Sequence, residues 1–216
     1  MNLDWGWLEN NTSDIAQMLG QHALLAVIPV LAALVIALPL GYLVHRTGTA
    51  ANAILAVLGV VYSIPSLALF VALPLVLGTS ILSQVNVVVA LTIYSVALLV
   101  RSVVDGLRSV PADVKQSASA VGFSRFGRLM KVELPLAMPE IMLGINQTIL
   151  LALSMIIIAA MIGTRDLGQE VFIALAKADA GRGVVAGLAV ACIGIVADRL
   201  IGGSSAKARA RLTDGR

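Results

Sequence analysis

Five apolar stretches dominate this chain, near residues 22–44, 51–77, 82–100, 137–162 and 183–203. Each is of a length to cross the roughly 30 Å hydrocarbon core of a bilayer as a helix, which takes about 20 apolar residues. The sequence therefore predicts an all-α integral membrane protein with about five transmembrane helices. Composition agrees, since 59% of the 216 residues are hydrophobic, 12% are charged and the mean hydropathy is +0.96. The third stretch is the weakest on length, because Ser83, Gln84 and Asn86 sit at its start.

Basic residues set the expected orientation. Arg46, the run Arg101, Arg108, Lys115, Arg125, Arg128 and Lys131, and the tail residues Arg199, Lys207, Arg209, Arg211 and Arg216 make up twelve of the 15 Lys and Arg. Those segments are expected on the cytoplasmic side. The other side receives the N-terminus with Asp4, Glu9 and Asp14, the turn at Gly78-Thr79-Ser80, and the loop from Gly163 to Arg182. The reading is a multi-pass membrane protein with its N-terminus outside and its C-terminus cytoplasmic. The sequence pI of 9.4 then reflects topology and gives no reason to expect nucleic acid. Residues 1–21 read as an external segment without a secretory signal pattern, with Trp5 and Trp7 suited to the headgroup zone and Thr12 or Ser13 placed to cap an interfacial helix ending at Gln21. Residues 22–203 form the transmembrane domain with a loop at 102–135, and 204–216 a basic cytoplasmic tail.

One segment breaks the apolar pattern: Pro111 to Pro135, PADVKQSASAVGFSRFGRLMKVELP. It predicts a helix beginning at Pro111, with Asp113 in the first turn, and stopping at Gly122. Ser124 is placed to cap a second short helix, which Leu134-Pro135 should end. On the first helix Val114, Ala118 and Val121 fall at i, i+4 and i+7, with Ser117, Ser119 and Ala120 keeping the surroundings small. Such a helix suits a groove on another protein.

The spacing Gln116-Ser117-Ala118, three residues, Gly122, nine residues, Val132-Glu133-Leu134-Pro135 resembles the cytoplasmic coupling loop of permease subunits of binding-protein-dependent ABC importers. That pattern is Glu-Ala-Ala, three residues, Gly, nine residues, Ile-x-Leu-Pro. This chain keeps the Gly, the spacing and the Leu-Pro, and has Gln for Glu, Ser for the first Ala and Val for Ile. The resemblance implies the type I ABC importer permease fold, with Val114, Gln116, Ser117, Ala118, Val121, Gly122, Leu134 and Pro135 contacting an ATPase. No Lys is followed by Ser or Thr, so the chain lacks a G-x-x-x-x-G-K-[ST] phosphate loop. The chain is expected to be a non-catalytic subunit without a bound cofactor, ATP and Mg being held by a separate ATPase.

Within the apolar stretches, Pro29, Pro39, Pro65 and Pro74 each remove a backbone donor and can bend a helix. Tyr62-Ser63-Ile64-Pro65-Ser66 places three hydroxyls around one such proline. Ser63, Ser66, Tyr94, Asn146, Gln147 and Ser154 are candidates to line a solute pathway, because uncharged hydroxyls and amides can satisfy a zwitterion without a deep well. The same groups can equally be glue between helices. Glu140, Asp198 and Arg199 are expected near the cytoplasmic ends of their spans, leaving no titratable group at mid-depth for a proton-coupled carrier. Gly183, Gly187 and Ala191 form a small-residue ladder suited to close helix contact. Gly181-Arg182-Gly183-Val184-Val185-Ala186 mimics a nucleotide fingerprint but lacks the preceding strand. His22 and His45 sit at opposite ends of one span and read as lone interfacial histidines with no shared metal. Cys192 reads as small apolar packing.

From about residue 20 to 202 the chain is also similar to permeases of the glycine betaine, proline betaine and choline osmoprotectant group. The matches are Tyr62-Ser63-Ile64-Pro65-Ser66-Leu67-Ala68-Leu69-Phe70, Asn146 through Met155, Ala160-Met161-Ile162-Gly163 with Leu167-Gly168, and Ala186-Gly187-Leu188-Ala189 leading to Asp198-Arg199. Where many relatives have Gly-Ala-Gly-Gly-Leu-Gly outside, this chain has Gly163-Thr164-Arg165-Asp166-Leu167-Gly168. The resemblance implies a second permease subunit, identical or a close paralogue, two cytoplasmic ABC ATPase subunits and an external solute-binding protein, working by alternating access. Permeases for methionine and other amino acids share the five-span plan and are the alternative. A membrane scaffold or channel subunit with no ATPase is the reading from a different class.

Overall fold

The computed structural model describes residues 10–214, with side chains as far as residue 203. The described residues form α1 (Thr12–Arg46), α2 (Ala50–Tyr62), α3 (Ser66–Leu77), α4 (Gln84–Ser109), α5 (Ala112–Ala120) and α6 (Arg125–Arg128). A π-helical turn (Leu129–Glu133) leads into α7 (Leu134–Ala159), a 3₁₀ turn (Ala160–Ile162), α8 (Leu167–Ala176) and α9 (Ala180–Asp214). Among the described residues four helical stretches are long and apolar enough to cross a membrane, and there are five if the bent pair α2 and α3 counts as one span.

Helix α4 is the centre of the bundle, packed on α1 and on α7, while α9 lies against α7 and α8. Small residues permit this closeness, as in helices that associate within lipid. A Cβ at Gly41 of α1 would lie 2.7 Å from the Val103 side chain of α4, and one at Gly144 of α7 would lie 2.1 Å from Ser102 Oγ. Leu25, Val30, Phe70, Leu91 and Ile156 fill one end of the core, and Val103, Leu107, Leu129 and Ile141 the other.

Several expected boundaries are corrected. Helix α1 runs without a break through residues 12–21, so no separate interfacial helix ends at Gln21. Its N-cap is Asn11, so Thr12 and Ser13 lie inside the helix and neither is its cap. The lone Gly20 costs about 1 kcal/mol in a helix interior, too little to interrupt one that packs along its length. Trp5 and Trp7 lie outside the described residues, as do the side chains of Lys207, Arg209, Arg211 and Arg216.

The stretch expected at 51–77 is not a straight span. Its two halves, α2 and α3, meet at 91° across Ser63-Ile64-Pro65. Helix α4 extends to Ser109, past the expected end at residue 100, and its arginines reach sideways: Arg101 Nη2 donates to Leu55 O (3.4 Å) and Arg108 Nη2 to Asn52 Oδ1 (3.0 Å). Leu134-Pro135 does not end a helix either. The wide turn at Leu129–Glu133 carries the chain past Pro135, which enters at the second position of α7. A wide turn accommodates the missing N–H and the ring that would otherwise meet the preceding turn.

Candidate functional site

At the basic end of the bundle, α5 starts one residue later than expected, with Pro111 as the N-cap at φ −57° and ψ 142°. It ends in a Schellman arrangement: Phe123 N donates to Ala118 O and Gly122 N to Ser119 O, both at 3.1 Å, with Gly122 at φ +94°. Ser124 then caps α6, its Oγ accepting from Gly127 N at 3.1 Å. Polar bonds clamp this corner. Arg128 Nη1 donates to Ser119 Oγ and Arg128 Nε to Glu133 Oε1, both at 2.6 Å, and Lys115 Nζ donates to Leu107 O at 2.8 Å.

The clamp changes the reading of α5. Ala118 is buried against its own chain, whereas Val121 is 80% exposed, so Val114, Ala118 and Val121 do not form one outward stripe. The outward face carries Gln116, Ser117 and Val121, with Phe126 68% exposed just beyond. Leu134 is half-buried and Pro135 exposed. Lys115 is engaged with the end of α4 and is not a free surface charge.

Deeper in the bundle, the bend between α2 and α3 leaves carbonyls without helical partners. Tyr94, fully buried on α4, donates its hydroxyl to Ile64 O at 2.6 Å and meets the Tyr62 ring edge-on at 6.1 Å. Ser63 is exposed and donates to Val60 O at 2.8 Å, and Ser66 is half-buried at the start of α3. The tyrosine hydroxyl thus braces the bend. Tyr94→Phe is expected to keep the edge-on ring pair, lose one hydrogen bond and destabilise the protein by about 1 kcal/mol, read as a lower unfolding midpoint in detergent.

On α7, Gln147 and Ser154 are exposed, Ser154 Oγ donating to Leu150 O at 3.0 Å. Asn146 is half-buried, and its Nδ2 donates to Asp198 Oδ1 of α9 at 2.7 Å. Asn146 falls near the midpoint of α7, so Asp198 stands level with the middle of that helix. Of the small-residue ladder on α9, Gly183 meets Ala174 of α8, while nothing lies within 4 Å of a Cβ at Gly187.

The end of the bundle away from the basic corner holds a pair that the sequence reading missed. His22 is not a lone interfacial residue. It is fully buried, with Nδ1 3.2 Å from Asp166 Oδ1 and Nε2 3.1 Å from Leu153 O. Asp166 also caps α8, its Oδ1 accepting from Gly168 N at 2.6 Å. Glu170 pairs with Arg182 across α8 and α9. Around these elements a polar cavity of about 490 Å³ opens between Asp14, Gln17, Gln21, Gln84, Arg165 and Gln169. Among the described residues no group of three His, Cys, Asp or Glu side chains is arranged to hold a metal.

The family model for the binding-protein-dependent transport system inner membrane component matches residues 30–209. The trimethylamine N-oxide transport system permease protein TmoV of Pelagibacter ubique (strain HTCC1062) is 38% identical over 168 residues, 77% of this chain and 23% of that protein. The glycine betaine transport system permease protein OpuAB of Bacillus subtilis (strain 168) is 35% identical over 191 residues, 88% of this chain and 67% of that protein. The chain thus spans about a quarter of the length of TmoV and about two thirds of OpuAB. A solved structure of the MetNI methionine ABC transporter in inward-facing conformations superposes with a TM-score of 0.83 at 18% identity, over 93% of this chain and 98% of that one.

Proposed function

Because the chain belongs to the family of binding-protein-dependent transport system inner membrane components, we propose that it is the transmembrane subunit of an ATP-driven importer for a small methylated osmoprotectant: glycine betaine, proline betaine, choline or trimethylamine N-oxide. Two cytoplasmic ABC ATPase subunits bind ATP and Mg, a second permease subunit completes the pathway, and an external binding protein delivers the solute. The N-terminus lies outside and the C-terminus in the cytoplasm of a prokaryotic inner membrane. Gln116, Ser117, Val121 and Gly122 meet the ATPase, with Val114, Ala118, Leu134 and Pro135 shaping that surface from behind. Ser63, Ser66, Gln147, Ser154 and the Asn146 amide flank the pathway, and Tyr94 holds its bend.

The observation that carries this reading is the corner at Gly122. A left-handed glycine, two Schellman bonds and the Arg128 clamp hold a short polar helix against α6 and the π turn, and Lys115 ties it to the end of α4. A rigid lever with an outward polar and apolar face is what transmission of an ATPase movement into membrane helices requires. The names of the relatives support the substrate class, and the likeness to the methionine transporter bears on the fold.

The test is uptake of labelled glycine betaine, choline, trimethylamine N-oxide, proline and methionine by vesicles containing the permease with its ATPase and binding protein. ATP-dependent accumulation of the methylated compounds, at rates at least tenfold above methionine, is expected. Accumulation of methionine alone would overturn the substrate assignment. No ATP-dependent uptake of any of the five would overturn the assignment to this group of importers.

A further inference from the structure

We propose that Asp198, oriented by Asn146 and facing a cavity between α7 and α9, is an intramembrane receptor for the methylated ammonium head of the transported solute. The proposal rests on the substrate class given above and locates where that class is recognised inside the membrane.

The first ground is position. Asp198 belongs to the apolar part of α9, and its partner Asn146 lies near the midpoint of α7. Asp198 is exposed on the surface of this single subunit, and a carboxylate within an apolar span is costly unless it faces protein or water, so that it marks a pathway by default. Among the described residues no ion pair involves Asp198, and the hydrogen bond it accepts comes from the Asn146 amide. The Asn146 Nδ2–H donor fixes one carboxylate oxygen, and Asn146 Oδ1 is buried without a partner, leaving a second acceptor beside it.

The second ground is the wall. Asp198 closes one end of a cavity of about 390 Å³, lined by Leu150, Leu153 and Ser154 of α7 and by Ala191, Gly194 and Ile195 of α9. That volume lies in the range of small-molecule sites. Ser154 turns its proton back onto Leu150 O, so the cavity presents a single negative charge in apolar surroundings. A primary ammonium such as that of methionine brings three N–H donors, each needing an acceptor. A fully methylated nitrogen brings a positive charge, apolar methyl groups and no N–H donor. One carboxylate in an apolar wall suits the second, whose charge it meets while the methyl groups need no acceptor and pack on that wall. With a single charged contact the solute is attracted and still released.

The test reads the charge of the cavity directly. With Cys192, the exposed lone cysteine, replaced by alanine, Ser154→Cys is treated in the assembled complex with two thiol reagents, one carrying a trimethylammonium group and one a neutral hydroxyethyl group. Reaction is followed without nucleotide and with ATP trapped on the ATPase. In at least one of these states the cationic reagent should be favoured about tenfold over its ratio with a free thiol, the order expected for one unit charge several ångströms away in a partly hydrated site. Choline should slow the reaction. Asp198→Asn, which keeps an acceptor for Asn146, should remove both the preference and the protection, and Asp198→Glu should retain them. A preference that survives Asp198→Asn, equal rates for the two reagents, or no reaction in either state would each overturn the proposal. Betaine uptake alongside any of those results would leave the importer assignment standing, so the two readings fail separately.

Discussion

Gly122→Val is expected to abolish ATP-driven uptake while the protein still inserts and still carries its helical bundle. Gly122 sits at φ +94°, and nothing lies within 4 Å of where a Cβ would stand. The substitution therefore meets no steric obstacle from neighbours, and its cost is the backbone conformation alone, roughly 1–3 kcal/mol for a residue held in a sparsely populated region. A β-branched residue tolerates that region least. The chain relieves the strain by rotating out of the left-handed region, and this opens the Phe123 to Ala118 and Gly122 to Ser119 bonds together. Ser124 through Arg128 then swing away, and the Arg128 to Ser119 contact is lost. Because α5 is a short exposed element, the bundle of α1, α4 and α7 is not expected to unfold. The readouts are uptake, expected to fall at least tenfold, and membrane content of the subunit, expected to stay within about twofold. Gly122→Asn should keep part of the activity, since asparagine accepts left-handed conformations more readily. Normal uptake by Gly122→Val would remove the mechanical role given to this corner.

What the sequence made legible at that corner was local. Gly122 and Ser124 each act on partners within five residues, so their types and spacing specify the Schellman turn and the cap. The apolar stretches were legible for the same reason, because length and hydropathy decide whether a helix crosses lipid. What escaped depends on distance along the chain or on competition between local rules. Pro65 and Pro135 carry the same covalent restriction, yet one divides a span at 91° and the other is absorbed in a π turn, because the surrounding packing differs. The burial of Ala118 depends on how α5 folds back on its own chain, which the i, i+4, i+7 spacing does not contain. Asp198 looked terminal by counting along α9. That it meets Asn146 of α7, 52 positions earlier, is not contained in that count.

His22 and Asp166 show that limit most sharply, being 144 residues apart in sequence, and single replacement of either is expected to be among the most destabilising changes in the chain. Both side chains are fully buried. Leu153 O is an acceptor only, so His22 Nε2 must donate to it, and Nδ1 faces a carboxylate oxygen already engaged with Gly168 N. The imidazole thereby ties α1 to α7 and to the start of α8. Asp166 Oδ2 has no partner even with histidine present. His22→Leu would leave that carboxylate buried with only the Gly168 amide, a loss of about 3–5 kcal/mol for breaking a buried pair from one side. Asp166→Leu would remove the cap of α8 as well, worth about 1 kcal/mol by itself. The double change His22→Leu with Asp166→Ser leaves no buried charge and restores a capping hydroxyl. It is expected to lose about 1–3 kcal/mol less than the sum of His22→Leu and Asp166→Ser measured singly. Unfolding midpoints in detergent for the four proteins measure this coupling, and uptake per folded complex shows whether the clasp serves transport beyond stability. A loss below about 1 kcal/mol in His22→Leu, with no recovery in the double variant, would show that the three helices are held together without it.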